Sequence, residues 1–226
     1  MIPATETLKI GAVASVPQPC SPPRPTTPNF QFERQDWTLF RSVGTLSQKA
    51  GVPMRHLRRL VLKELADNAL DVAGSVEVGT TADDGYFVQD DGPGIDGSPE
   101  DIARMFSINR PLVSSKLWRL PTRGALGNGL RVVTGAVAAS GGALQVWTRN
   151  RHLTLTPRDD GSTAVVAEVT DFPVGTRIEI TFGRALPVDN NALAWAREAV
   201  LLARGGEVYK SRTSPHWYAP DGCCRL

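Results

Sequence analysis

Three polar groups stand at helical spacing within "KELADNALD", residues 63–71: Glu64, Asn68 and Asp71. At roughly 100° per residue they fall within an arc of about 60°, on the same side as Leu57, Leu60, Val61 and Val72. Arg59, Lys63 and Asp67 lie toward the other side, which reads as the solvated face. Polar groups on an inward stripe are costly to bury unless something binds them. Two glycine-rich segments follow. In "VQDDGPGID" (88–96) a strand ends in Asp90-Asp91-Gly92-Pro93-Gly94. The glycines let backbone approach a ligand closely, and the carboxylate before them is a fixed acceptor. In "RGALGNGLRVV" (123–133), Gly124, Gly127 and Gly129 flank Asn128 and open a helix. Backbone N–H groups ahead of a helix N-terminus make an anion site suited to phosphates. Each glycine cluster alone is what any turn uses; all three segments, in this order, form a pattern.

The elements that must hold these groups can be read from periodicity. A helix is expected from about Pro53 to Ala73, stopped by Gly74. A short helix and a turn precede it in 35–51. "SVEVGT" and "GYFVQD" suit two strands, and 91–128 reads as one long loop region, with 97–123 as a lid that orders around a ligand. "LRVVTGAVAASGG" is a helix ended by glycines. "ALQVWTR", "HLTLTP", "TAVVAEVT" and "RIEITF" are four strands, and 190–206 is a periodic helix. Helices and strands in separate blocks argue an α+β two-layer sandwich rather than a doubly wound sheet. Seven of the seventeen prolines fall in residues 1–30, which read as a disordered lead; 31–210 would be the domain and 211–226 a tail.

Composition narrows the partners. A net charge of +2 over 226 residues implies neither a nucleic-acid nor a membrane surface. The basic stretch "RHLRRL" (55–60) reads as a solvated helix face, with His56 exposed. No apolar run approaches the ~18 residues of a membrane span. The start has no basic region ahead of its apolar patch, so no signal peptide is expected. Cys20, Cys223 and Cys224 lie near the ends without metal-ligand spacing, which fits a reducing cytoplasm. Trp118 and Trp147 read as packing, His152 has no cysteine or carboxylate partner at ligand spacing, and "SPHWY" (214–218) reads as a tail that docks on the domain.

Together the segments resemble the signature of the GHKL ATPases, which share the Bergerat ATP-binding fold. They are most similar to the B subunit of type IIB topoisomerases, topoisomerase VI. "LVLKELADNALD" resembles that subunit's "LVxELVDNSLDA" helix, and "SSK" (114–116) before "RGALGNG" resembles its "GSK…RGQQGIG" lid. The resemblance covers about 35–182. It implies a mixed, mostly antiparallel sheet covered on one face by helices, with ATP and Mg²⁺ as cofactors. Glu64 would be the general base that polarises the attacking water, Asn68 the Mg²⁺ ligand, and Asp71 a group lining the nucleotide side. Asp90 would accept from the adenine amino group, with Gly92 and Gly94 close to the base and Thr176 of "VGTRIEI" beside it. Gly124, Gly127, Asn128 and Gly129 would face the phosphates, with Ser115 and Lys116 from the lid.

The sequence departs from that subunit in two places. Asp91 stands where many relatives have Asn, which would add negative charge beside the nucleotide. No transducer domain, the source of a γ-phosphate lysine, follows within 226 residues, so slow turnover without a partner chain is expected. The implied setting is an ATP-gated dimer working with a separate effector or DNA-cleaving subunit.

Three other readings stand beside this one. A nucleotide sensor without turnover would not need Glu64. A histidine-kinase catalytic domain would need an acceptor histidine upstream, and residues 1–50 contain none. A helix-turn-helix in "TLSQKAGVPMRHLRRLVL" (45–62) would make this a direct DNA binder, but it leaves both glycine segments unexplained.

Overall fold

Two layers form, as the periodicity predicts. The computed structural model describes residues 36–110, 128–203, 207–210 and 215–218. The expectations for the 1–30 lead and for Ser115, Lys116, Gly124 and Gly127 lie outside these residues. One layer holds helices α1 (Val43–Ala50), α2 (Leu57–Leu70), α4 (Gly129–Ser140) and α5 (Ala192–Ala203). The other is a six-stranded sheet of β1 (Val76–Thr80), β2 (Tyr86–Asp90), β3 (Leu144–Thr148), β4 (Arg151–Pro157), β5 (Thr163–Val169) and β6 (Thr176–Ile180). Their spatial order is β1-β2-β6-β3-β4-β5. All five pairings are antiparallel, so the sheet is not mixed. β7 (Glu207–Lys210) and β8 (Pro215–Tyr218) pair as a separate hairpin, where the sequence suggests no strand.

The period-2 alternation of the strands decides which side is buried. Val78, Val88, Ile178, Val146 and Leu153 face one another in register across five strands. They meet an apolar face built from Val61, Leu65, Val133, Ala136 and Val137. Each of the larger side chains there contributes about 1.5–3 kcal/mol by leaving water. α2 packs between α4 and α5 and over β2, so it is enclosed on more than one side. The opposite sheet face is half-exposed. There Arg177 lies 3.9 Å over the Phe87 ring and Trp147 stacks on His152 at 4.3 Å.

Three expectations change. The long helix is interrupted: Met54–His56 is a 3-10 turn, and α2 ends at Leu70, where the Asp71 N–H donates to the Asp67 carbonyl. Gly74 therefore lies past the stop, and Val72 is exposed rather than in the stripe. Second, the Arg59–Lys63–Asp67 side is not solvated. Asp67 is buried and bonded to Lys63 at 2.6 Å, and Arg59 makes a two-pronged ion pair with buried Asp189 just ahead of α5. Arg58 is buried as well, donating to the Leu186 carbonyl and facing Phe182. His56 is half-buried. Arg58 and Arg59 are thus spent on internal contacts, while Arg55 stays exposed.

Third, the loop region after β2 contains helix α3 (Pro99–Met105). Ser98 accepts from the Asp101 N–H, and the Asp101 carboxylate accepts from the Ser98 N–H, a reciprocal cap with Pro99 behind it. Phe106 and Ile108 then enter the core, and the N–H groups of Ile108 and Asn109 both donate to the Gly161 carbonyl. Residues 98–110 are therefore built into the domain, and the rest of the expected lid, 111–123, lies outside the described residues.

Candidate functional site

A cavity of about 390 Å³ opens between α2, the sheet and the start of α4. Its size falls in the range that takes small ligands. Glu64, Asn68 and Asp71 all reach it from α2, which resolves their inward placement: they face a cavity, not the apolar core. Glu64 and Asn68 are half-buried, and Asp71 is exposed at the helix end. Asp90, Gly94 and Thr176 line the sheet side and Gly129 the α4 side. Gly92 and Asn128 do not line it. Gly92 instead donates its N–H to the Asp90 carboxylate, and Asn128 precedes α4 as its cap.

The sheet register builds the deep end. Asp90 and Thr176 are directly paired residues of β2 and β6. Asp90 Oδ1 accepts from the Gly92 N–H at 2.9 Å and the Thr176 N–H at 3.2 Å, which fixes the carboxylate in one orientation. Burial pushes the Asp90 carboxyl above the ordinary range; the two N–H donors oppose the shift and the Asp91 charge adds to it. Gly175 permits this pairing, because a Cβ there would stand 1.9 Å from the Asp90 carbonyl oxygen. Val88 and Ile178, adjacent in the same two strands, give the carboxylate an apolar floor. The geometry suits a flat heterocycle with an N–H donor at its edge.

Asp91 turns away from this cavity. Its Oδ1 accepts from the Ser75 N–H at 2.7 Å and ties the end of β2 to the start of β1. The expected negative charge beside the ligand is therefore corrected: the side chain serves the sheet edge and reaches the site only through Asp90.

At the other end, Glu64 meets the N-terminus of α4, where the helix dipole favours negative charge. An ideal Cβ on Gly129 would be 2.5 Å from Glu64 Oε2. The cavity thus has a clamped acceptor at one end and, at the other, a carboxylate beside the N-terminus of α4. Among the described residues no group of three or more His, Cys, Asp or Glu could hold a metal. The hard carboxamide oxygen of Asn68 on the cavity wall suits a Mg²⁺ ion.

The sequence did not point to the groups that stiffen the glycine segment. Thr148 Oγ1 accepts from the Ile95 N–H at 2.8 Å. Arg149 donates to the Pro93 carbonyl and pairs with Asp96, and Arg151 donates to the Gly97 carbonyl at 2.7 Å. All three belong to the β3–β4 hairpin, whose turn holds Arg149 and Asn150 at φ of 47° and 59°. An Arg-Asn pair between two strands marks a turn, yet nothing in it says what the arginine would touch. Arg110, Met105 and Phe106 also line the cavity and lie in the stretch read as loop.

A family model described as histidine kinase-, DNA gyrase B- and HSP90-like ATPase matches residues 55–185. No curated protein matches the sequence. Similar solved structures include the ATPase region of Saccharomyces cerevisiae topoisomerase II, at 17% identity and TM-score 0.47, covering 68% of this chain and 45% of that one. The same region bound to dexrazoxane gives 16% and 0.46, with 65% and 44% covered. The N-terminal domain of a DNA repair protein gives 18% and 0.39, with 64% and 43% covered. The chain spans less than half the length of each of these structures. Among the described residues no helix is long and apolar enough to cross a membrane.

Proposed function

The chain belongs to the histidine kinase-, DNA gyrase B- and HSP90-like ATPase family, and on that premise we propose that it binds ATP with Mg²⁺ in the cavity under α2 and hydrolyses it slowly. One observation carries the reading: a clamped, desolvated Asp90 and a Glu64 seated at a helix N-terminus close the two ends of one cavity.

The adenine base lies against Val88 and Ile178, and its amino group donates to Asp90, beside Thr176 and Gly94. The triphosphate runs toward α4, whose N-terminal N–H groups, at the positive end of the helix dipole, donate to anionic oxygens. Gly127 and Lys116, with Ser115 and Gly124, belong to this phosphate end by sequence. Asn68 would hold Mg²⁺, which would supply charge neutralisation at the phosphates. Glu64 takes the proton of a water as its oxygen attacks the γ-phosphorus. The bond from that phosphorus to the β–γ bridging oxygen breaks, and its electron pair leaves on ADP.

Slow turnover is inferred from the resemblance, in which a transducer domain adds a lysine to the γ-phosphate, since cations on the transferring group carry much of phosphoryl-transfer catalysis. Within the family, the motifs "LVLKELADNALD" and "SSK" before "RGALGNG" favour a topoisomerase VI B-like module. It is an ATP-gated dimer that works with a separate effector or DNA-cleaving subunit in the cytoplasm. Residues 31–210 form its ATP-binding domain. A steady-state phosphate-release assay on the isolated chain tests the activity. Slow, Mg²⁺-dependent release from ATP is expected, and brisk turnover or none at all would overturn it.

A further inference from the structure

We propose that Arg110 is the cation that contacts the terminal phosphate in this cavity, an inference that rests on the ATP-binding reading above. Arg110 lines the cavity together with Glu64, Asn68 and Gly129, the residues of its α4 end. Its backbone is held there by α4 itself, since the Arg131 guanidinium donates to the Arg110 carbonyl. Arg131 is almost fully buried, sits in the first turn of α4, and faces Asp36 and the Phe40 ring.

The segment leading to Arg110 is equally constrained. Phe106 and Ile108 are core residues, the Phe106 carbonyl accepts from Thr163 Oγ1 at 3.0 Å, and Asn109 donates to the Asp160 carbonyl at 3.0 Å. A side chain projected from such a support loses little freedom when it meets an anion. The other charged residues on the described cavity wall are Glu64, Asp67, Asp71 and Asp90, all acidic, so Arg110 is the only cation among them. Burial and the neighbouring Arg131 charge both work against the Arg110 guanidinium. Because Arg remains protonated in proteins, the side chain stays a cation at this position. A planar guanidinium also matches two phosphate oxygens at once, which an ammonium cannot do.

The test uses the full chain and compares wild type with Arg110→Ala and Arg110→Lys. Affinities for a non-hydrolysable ATP analogue, ADP and adenosine are measured by calorimetry, and turnover by phosphate release. Arg110→Ala should weaken the ATP analogue about 10-fold or more, leave adenosine unchanged, and reduce kcat by about 100-fold or more. Arg110→Lys should recover part of both losses, and a thermal melt should be shared by all three proteins. The ratio of ATP-analogue to ADP affinity is the decisive readout, because a merely structural role would weaken all ligands alike. If wild type binds the ATP analogue and Arg110→Ala binds it as well, with the same ATP-to-ADP ratio, the inference falls while the ATP reading stands. If wild type binds no adenine nucleotide, both fall.

Discussion

Glu64 Oε2 lies 2.5 Å from where a Cβ on Gly129 would stand, so the carboxylate of α2 occupies the space that a side chain on α4 would fill. That contact makes Gly129→Ala a selective probe. Alanine suits the first turn of a helix and gains about 0.5–1 kcal/mol over glycine there, but it must push the Glu64 carboxylate aside. The melting temperature should hold or rise while turnover drops about 10- to 100-fold, the effect of misplacing a reacting group by about 1 Å. A melt and a phosphate-release assay on the same sample separate the two. Unchanged turnover would mean that the Glu64 position is immaterial to the reaction.

Removing the carboxylate rather than moving it gives a different signature. Glu64→Gln keeps the shape and should leave nucleotide affinity within a few-fold while turnover falls by about 100-fold or more. Asn68→Ala should instead lose the part of the affinity that depends on Mg²⁺. Titrations with and without the ion distinguish them.

Asp90 links stability to recognition. Its carboxyl is shifted upward by burial, so the ionised form costs the fold some stability at neutral pH. For a pKa raised in the folded state, the contribution is fully present below the unfolded value and is lost as pH rises through the folded one. Asp90→Asn keeps an oxygen for the Gly92 and Thr176 N–H groups and carries no charge. It should therefore melt at or above wild type at pH 7, with the gap closing on acidification. It should also bind ATP about 10-fold or more weakly, because an amide N–H₂ would face the adenine amino group. Melts across pH and one titration check both halves.

Much of this was legible in the sequence where period and chemistry coincide. Glu64, Asn68 and Asp71 share an arc whatever surrounds the helix, and β2, β3, β4 and β6 announce themselves by alternation. What was hidden is what packs on the far side of an element. Arg59, Lys63 and Asp67 form a polar stripe that reads as solvated, and only the return of Asp189 and α5 some 130 residues later encloses it. Asp91 was misplaced for the same reason: its partner, the Ser75 N–H, is a backbone group that no side-chain pattern reveals. α3 was different. "SPED" at 98–101 carries its reciprocal cap in the sequence, but its short length and the flanking glycines and prolines mask the period.

In the proposed function one cavity takes adenine at Asp90 and phosphates at α4. Calorimetric titration of the chain with a non-hydrolysable ATP analogue and its GTP counterpart, in Mg²⁺, tests this most directly. In the proposed function Asp90 would accept from adenine's amino group and repel guanine's carbonyl oxygen, so the ATP analogue should bind about 10-fold or more tightly than the GTP analogue. Equal affinity for the two, or no binding of either, would contradict it.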